Sequence, residues 1–94
     1  MLNIDNLEKC IKTAIENKFN YIGVAIKTND NNGIEVIINP NCNFKNKLYY
    51  YKNAYTNDLF LKSSKGIRII NFTYGNNFEE IEKCLLETSF DEFI

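Results

Sequence analysis

The decapeptide GIRIINFTYG (66–75) constrains the fold most, because it is the strongest β-strand signal in the chain. Isoleucine, phenylalanine, threonine and tyrosine are the residue types that fit a pleated, half-buried surface. Its apolar phase shifts between Ile69 and Ile70, which predicts a bulge or a central strand buried on both faces. Gly75 and Asn76 break the run. A second segment, YIGVAIKT (21–28), is also apolar on both faces, and the polar cluster NDNNG separates it from IEVIIN (34–39). Two β-rich runs around such a cluster read as a hairpin. Gly33 is the natural position there for a positive φ. Pro40 ends the second run because it cannot donate to a ladder.

Helical periodicity accounts for the rest. Leu7, Ile11, Ala14 and Ile15 mark an amphipathic helix over 5–19, with Asp5 and Glu8 in the spacing of a capping box. Phe44, Leu48, Tyr51 and Tyr55 repeat at helical intervals after Asn43. Leu59 and Leu61 suggest a short strand, closed by the turn-like KSSKG (62–66). Asn77 and Glu80 form an N-x-x-E cap, and Phe78, Ile81 and Leu85 define a last helix. The tail SFDEFI either docks through Phe90 and Phe93 or frays, over 89–94. The expectation is one α+β domain over 1–94, in the order helix, strand, strand, helix, one or two strands, helix, with a sheet of three or four strands packed by helices.

Composition narrows the chemistry. The chain has no histidine, which removes the commonest general base near neutral pH and the commonest metal ligand. Its four glycines are scattered, so no phosphate-cradling loop is expected. NDNNG holds one carboxylate and lacks the terminal glutamate of an EF-hand loop. Cys10, Cys42 and Cys84 are too far apart for a zinc site or a disulfide framework and read as free thiols, Cys10 and Cys84 near apolar stripes. Glu79, Glu80, Glu82, Glu87, Asp91 and Glu92 cluster on the last helix and its tail, where capping and the helix dipole explain the first two. The sequence therefore points away from an enzyme, a cofactor or a metal. No apolar run approaches the roughly 20 residues that span a bilayer, and the N-terminus lacks the pattern of a signal peptide. A cytoplasmic protein without membrane association is expected. Abundant Asn, Lys, Ile, Tyr and Phe against a single Arg suit an AT-rich genome.

A net charge of −1 hides a segregation. Residues 45–78 carry Lys45, Lys47, Lys52, Lys62, Lys65 and Arg68 against Asp58 alone, whereas 79–94 carry six acids against Lys83. Within the basic stretch lies KLYYYKNAYTNDL (47–59). At 100° per residue, Phe44, Leu48, Tyr51 and Tyr55 fall in a sector about 60° wide and form a core stripe. Tyr50 lies on its flank beside Ala54. Tyr49 points away, with Lys45 and Lys52 at i−4 and i+3, as an exposed Lys–Tyr–Lys row. Such a row is a cation-plus-aromatic surface for phosphates, stacked bases or an acidic partner, or a solvated face whose lysines surround an ordinary exposed tyrosine. Taken alone, the row favours the second reading.

Two stretches, EVIINPNCNFKNKLYYYKNAYTNDL (35–59) and GIRIINFTYGNNFEEIEKCLL (66–86), resemble a family of short uncharacterised proteins from phages and conjugative elements of low-GC Gram-positive bacteria. That family shows a strand ending in an Asn- or Pro-containing turn, a tyrosine-rich helix, an I-R-I-x-x-F-T-Y-G strand and an F-x-x-I-E helix. The resemblance spans roughly Tyr21 to Leu86 and transfers no catalytic residue. It implies a mobile-element origin, in which small proteins often bind a host protein, defence complexes included. The leading expectation is thus a non-enzymatic protein-interaction module that binds a host or element-encoded protein through Lys45, Tyr49, Tyr50 and Lys52. The acidic last helix is a second candidate face. The alternative is a nucleic-acid-binding accessory protein that adds Lys62, Lys65 and Arg68, against which stand one arginine and a pI of about 5.4. Open sheet edges also make a homodimer possible.

Overall fold

In a computed structural model describing residues 2–28 and 33–91 (side chains of 88–91 excepted), the chain forms one α+β domain. The elements run α1 (Ile4–Glu16), β1 (Tyr21–Lys27), β2 (Ile34–Pro40), a 3-10 turn (Asn41–Asn43), α2 (Phe44–Ala54), β3 (Phe60–Leu61), β4 (Ser64–Gly75) and α3 (Phe78–Asp91). The strands make one antiparallel sheet in the order β2-β1-β4-β3. Its two central strands are thus the two segments whose sequences are apolar on both faces. Residues 29–32 of the turn between β1 and β2 lie outside the described residues, and no described glycine has the positive φ expected at Gly33. The backbone of 89–91 continues α3, whereas 92–94 and any docking through Phe90 and Phe93 lie outside what is described.

Both faces of the sheet are covered. Ile22, Val24, Ile26 and Ile69 pack with Leu7, Ile11 and Ala14 of α1 and with Phe44, Tyr51, Tyr55 and Leu59. On the opposite face Ala25 and Ile70 meet Ile81 and Leu85 of α3. The bulge expected at Ile69/Ile70 is present. Ala25 pairs with Asn71 and Ile26 with Ile69, so Ile70 is the extra residue. Ile69 and Ile70 enter opposite cores by ordinary alternation, and the extra residue shifts the phase beyond them, so that Phe72, three positions from Ile69, returns to the α1 face. Gly23 lies where α3 crosses β1: a Cβ there would stand 2.6 Å from Ile81 Cγ2 and 2.8 Å from Leu85 Cδ1.

Several boundaries differ from the sequence expectation. The first helix is capped by Asn3, whose Oδ1 accepts from the Asn6 amide at 2.8 Å, rather than by an Asp5/Glu8 box. Asparagine caps as well as aspartate, and the earlier start places Ile4 on the buried stripe with Leu7 and Ile11. The far end of α1 closes with the Phe19 amide donating to Ala14 O at 2.9 Å and the Lys18 amide to Ile15 O at 3.2 Å. This is a Schellman motif, with Lys18 at φ 58° in the position usually given to glycine. Leu59 does not begin a strand. It sits in a turn at φ 70°, fully buried, and burial of its side chain opposes the cost of that backbone. The KSSKG turn shrinks to Lys62–Ser63, because Ser64 already pairs with Leu61. Tyr55 lies one residue beyond α2 in an extended conformation, yet enters the core by bridging to Leu61. Asn77 caps α3 as expected, its Oδ1 accepting from the Glu80 amide at 3.0 Å. Phe78, expected in the core stripe, is instead exposed and meets the edge of the Tyr21 ring, 6.0 Å between centroids. Cys84 is likewise exposed rather than packed in a stripe. No helix among the described residues is long and apolar enough to cross a membrane.

Candidate functional site

The helix α2 carries the candidate surface. Its start is aligned by the 3-10 turn that follows Pro40, and its buried stripe is anchored by Phe44 and Tyr51. Tyr51, Tyr50 and Tyr55 form a cluster with ring centroids 5.5 to 6.2 Å apart, in the tilted and edge-on geometries that aromatic pairs prefer. Burial pushes the Tyr51 phenol well above its ordinary pKa and Tyr55 up to about 12, the Tyr50 ring beside each adding to the shift. The Tyr51 hydroxyl is buried and makes no hydrogen bond among the described residues.

Anchoring that stripe fixes what faces out. Tyr49 is 73% exposed and Tyr50 is 46% exposed. Lys47 Nζ lies 5.2 Å from the Tyr50 ring centroid and 5.7 Å from that of Tyr51, within cation–π range. Tyr49 and Tyr50 thus stand side by side on α2 next to exposed Lys45 and half-buried Lys47.

Lys52, the third member of the expected row, has another engagement. Its Nζ lies 3.0 Å from Glu8 Oε2, and Lys12 reaches the same oxygen at 3.1 Å. Those two ammonium groups, Lys52 foremost, hold the Glu8 carboxyl below its ordinary pKa. Lys52 therefore ties α2 to α1, and its charge is partly neutralised before any partner arrives. The basic residues of the hairpin divide similarly. Arg68 donates to the Asp58 carbonyl at 3.2 Å and lies 4.9 Å over the Phe60 ring, so it braces the β3 turn. The Lys62 backbone amide donates to Ala54 O at 2.9 Å, which places Lys62 at the C-terminal end of α2. Lys65 is exposed near the start of β4, beyond that junction.

A cleft of about 560 Å³ opens between the end of α1 and the start of α2. Ile15, Phe19 and Phe44 line it with Lys18, Lys45 and the exposed Cys42. Lys45 thus borders both the cleft and the Tyr49 surface, a link that spacing within α2 could not show. The acidic candidate face is simpler: Glu79 and Glu80 occupy the first turn of α3, and Glu82 and Glu87 are exposed along it. Among the described residues, no group of three or more metal-capable side chains comes together. Comparison with protein-family models, curated proteins and solved structures finds no match to the chain. The family resemblance accordingly rests on the motifs in 35–59 and 66–86 alone.

Proposed function

We propose that this domain is a non-enzymatic interaction module that binds an acidic surface of a protein partner through Lys45, Tyr49 and Tyr50. The supporting observation is the adjacent exposure of Tyr49 and Tyr50 beside Lys45 and Lys47, on a helix whose opposite stripe is fixed in the core. Tyrosine suits such a role because a large amphipathic ring is ordered at low entropic cost. Lysines around it attract acidic groups and add rate and orientation more than affinity. Lys52 contributes by holding α2 against α1 rather than by contacting the partner. The resemblance to phage and conjugative-element proteins directs the search for that partner to host proteins.

The test is capture with the immobilised domain, comparing wild type with Lys45→Ala/Tyr49→Ala and with Glu82→Ala/Glu87→Ala on the acidic face. The proposal expects the first variant alone to lose a specifically captured protein while keeping its circular dichroism spectrum. Equal capture by wild type and Lys45→Ala/Tyr49→Ala would contradict it. A second reading, nucleic-acid binding, is favoured by the continuity of Lys62 with the end of α2. It requires affinity that falls steeply with added salt, measurable by fluorescence anisotropy with labelled DNA and RNA.

A further inference from the structure

The hydrogen-bond phase of the β1–β2 hairpin determines which backbone groups of β2 are unused. The Thr28 amide donates to Gly33 O at 3.3 Å, continuing the register in which Lys27 faces Ile34. Antiparallel pairs alternate between bonded and non-bonded, so the bonded pairs are Ile26/Glu35, Val24/Ile37 and Ile22/Asn39. The N–H and C=O groups of Ile34, Val36 and Ile38 therefore point away from β1. No described strand lies on that side. Pro40 belongs to the same outward phase, so its missing N–H removes no bond to β1.

The opposite edge of the sheet is treated differently. There β3 pairs with the first part of β4, and the Ile69 amide donates to Leu59 O. Further along, the Phe72 amide donates to the Asn71 side chain at 2.9 Å and is satisfied without a neighbouring strand. Edge strands are commonly blunted by lysine, proline, bulges or brevity. Among these devices β2 has only the proline, at its last residue, and Glu35 is its one charge. It instead carries Ile34, Val36 and Ile38 half-buried along the α3 face.

We propose that β2 pairs antiparallel with β2 of a second copy of this chain, joining two sheets across a two-fold axis at Val36. That register opposes Val36 with Val36 and Ile34 with Ile38, so every outward donor and acceptor of these three residues finds a partner. Each Glu35 faces Ile37 of the other copy, and the two carboxylates never stand opposite. A second copy is favoured over an unrelated strand because this register satisfies its hydrogen bonds and keeps like charges apart with no other sequence required. The contact is isologous, as closed dimers demand, and leaves the Tyr49 face of α2 out of the pairing.

Sedimentation velocity over a concentration series, with amide hydrogen exchange at its two ends, tests the pairing. The expected mass rises with concentration from 11.0 kDa towards twice that value. At the high end the amides of Ile34, Val36 and Ile38 slow at least tenfold, while those of Glu35, Ile37 and Asn39 are protected throughout. Val36→Pro removes one outward N–H and none that bonds β1, so it weakens dimerisation at least tenfold and leaves the monomer folded. Should that variant unfold, the exchange pattern of the wild-type protein still decides. A mass that stays at the monomer value, with the three outward amides exchanging equally fast at both ends, would overturn the proposal. So would a dimer that folded Val36→Pro retains, or one that Tyr49→Ala abolishes.

Discussion

Gly23→Ala tests the packing of α3 on the sheet at its tightest point. An alanine Cβ would lie 2.6 Å from Ile81 Cγ2 and 2.8 Å from Leu85 Cδ1. Carbon atoms attract best at about 3.5–4.0 Å, so both neighbours must withdraw by roughly an ångström. Neither is the free end of a surface chain, since the side chains of Ile81 and Leu85 are both buried. Overpacking of this kind costs about 1–3 kcal/mol, whereas replacing glycine restrains the unfolded chain and returns about 0.4–1 kcal/mol. The expected net loss is therefore about 1–2 kcal/mol. For a domain of this size that lowers Tm by about 4–16 °C. Urea unfolding followed by circular dichroism reads the loss as a lower midpoint at unchanged slope. Ile81→Ala supplies the second arm of a double-mutant cycle. Removing Cγ2 opens the space that the new methyl needs, so Gly23→Ala costs less in that background. Equal or higher stability of Gly23→Ala in the wild-type background would refute the packing described for β1 and α3.

Other consequences follow from single groups. Lys18→Gly relieves a left-handed backbone at the end of α1 and raises stability by about 1 kcal/mol in the same urea assay. Tyr51→Phe removes a buried hydroxyl that has no partner among the described residues and leaves stability equal or higher by about 1 kcal/mol. Burial lifts Cys10 to about 11 and Tyr55 to about 12. Both are neutral acids whose ionisation the fold opposes, so their contribution is complete below the unfolded pKa values. It is lost as pH rises from about 9 towards 12. Urea midpoints measured across that range fall, and Cys10→Ala reduces the fall in its lower part. Exposed Cys42 and Cys84 react with a disulfide reagent at pH 8 well before half-buried Cys10.

Patterns with a local physical cause were legible in the sequence. The phase slip at Ile69/Ile70 announced the bulge, because alternation along a strand is strict and one inserted residue shifts it by one position. Phe44, Leu48 and Tyr51 announced the buried stripe of α2, and therefore the exposure of Tyr49, through the 3.6-residue period alone. What depended on distant partners was hidden. The Lys52–Glu8 contact joins residues 44 positions apart, and nothing within α2 distinguishes Lys52 from Lys45. Phe78 follows the helical period but lies in the first turn of α3, where the edge of Tyr21 meets it and the core does not. The Schellman motif went unseen because lysine stands where glycine normally signals it. Gly23 looked like one of four scattered glycines until the crossing of α3 over β1 gave it a purpose.

The central claim is that the outward rings of α2 recognise a protein. Titration of a captured partner against wild type, Tyr49→Ala and Val36→Pro by isothermal calorimetry tests it most directly. A buried tyrosine anchor at an interface costs about 2 kcal/mol or more when truncated, roughly a thirtyfold loss of affinity. The account predicts that loss for Tyr49→Ala, with Val36→Pro binding within about twofold of wild type. Affinity unchanged by Tyr49→Ala would contradict it.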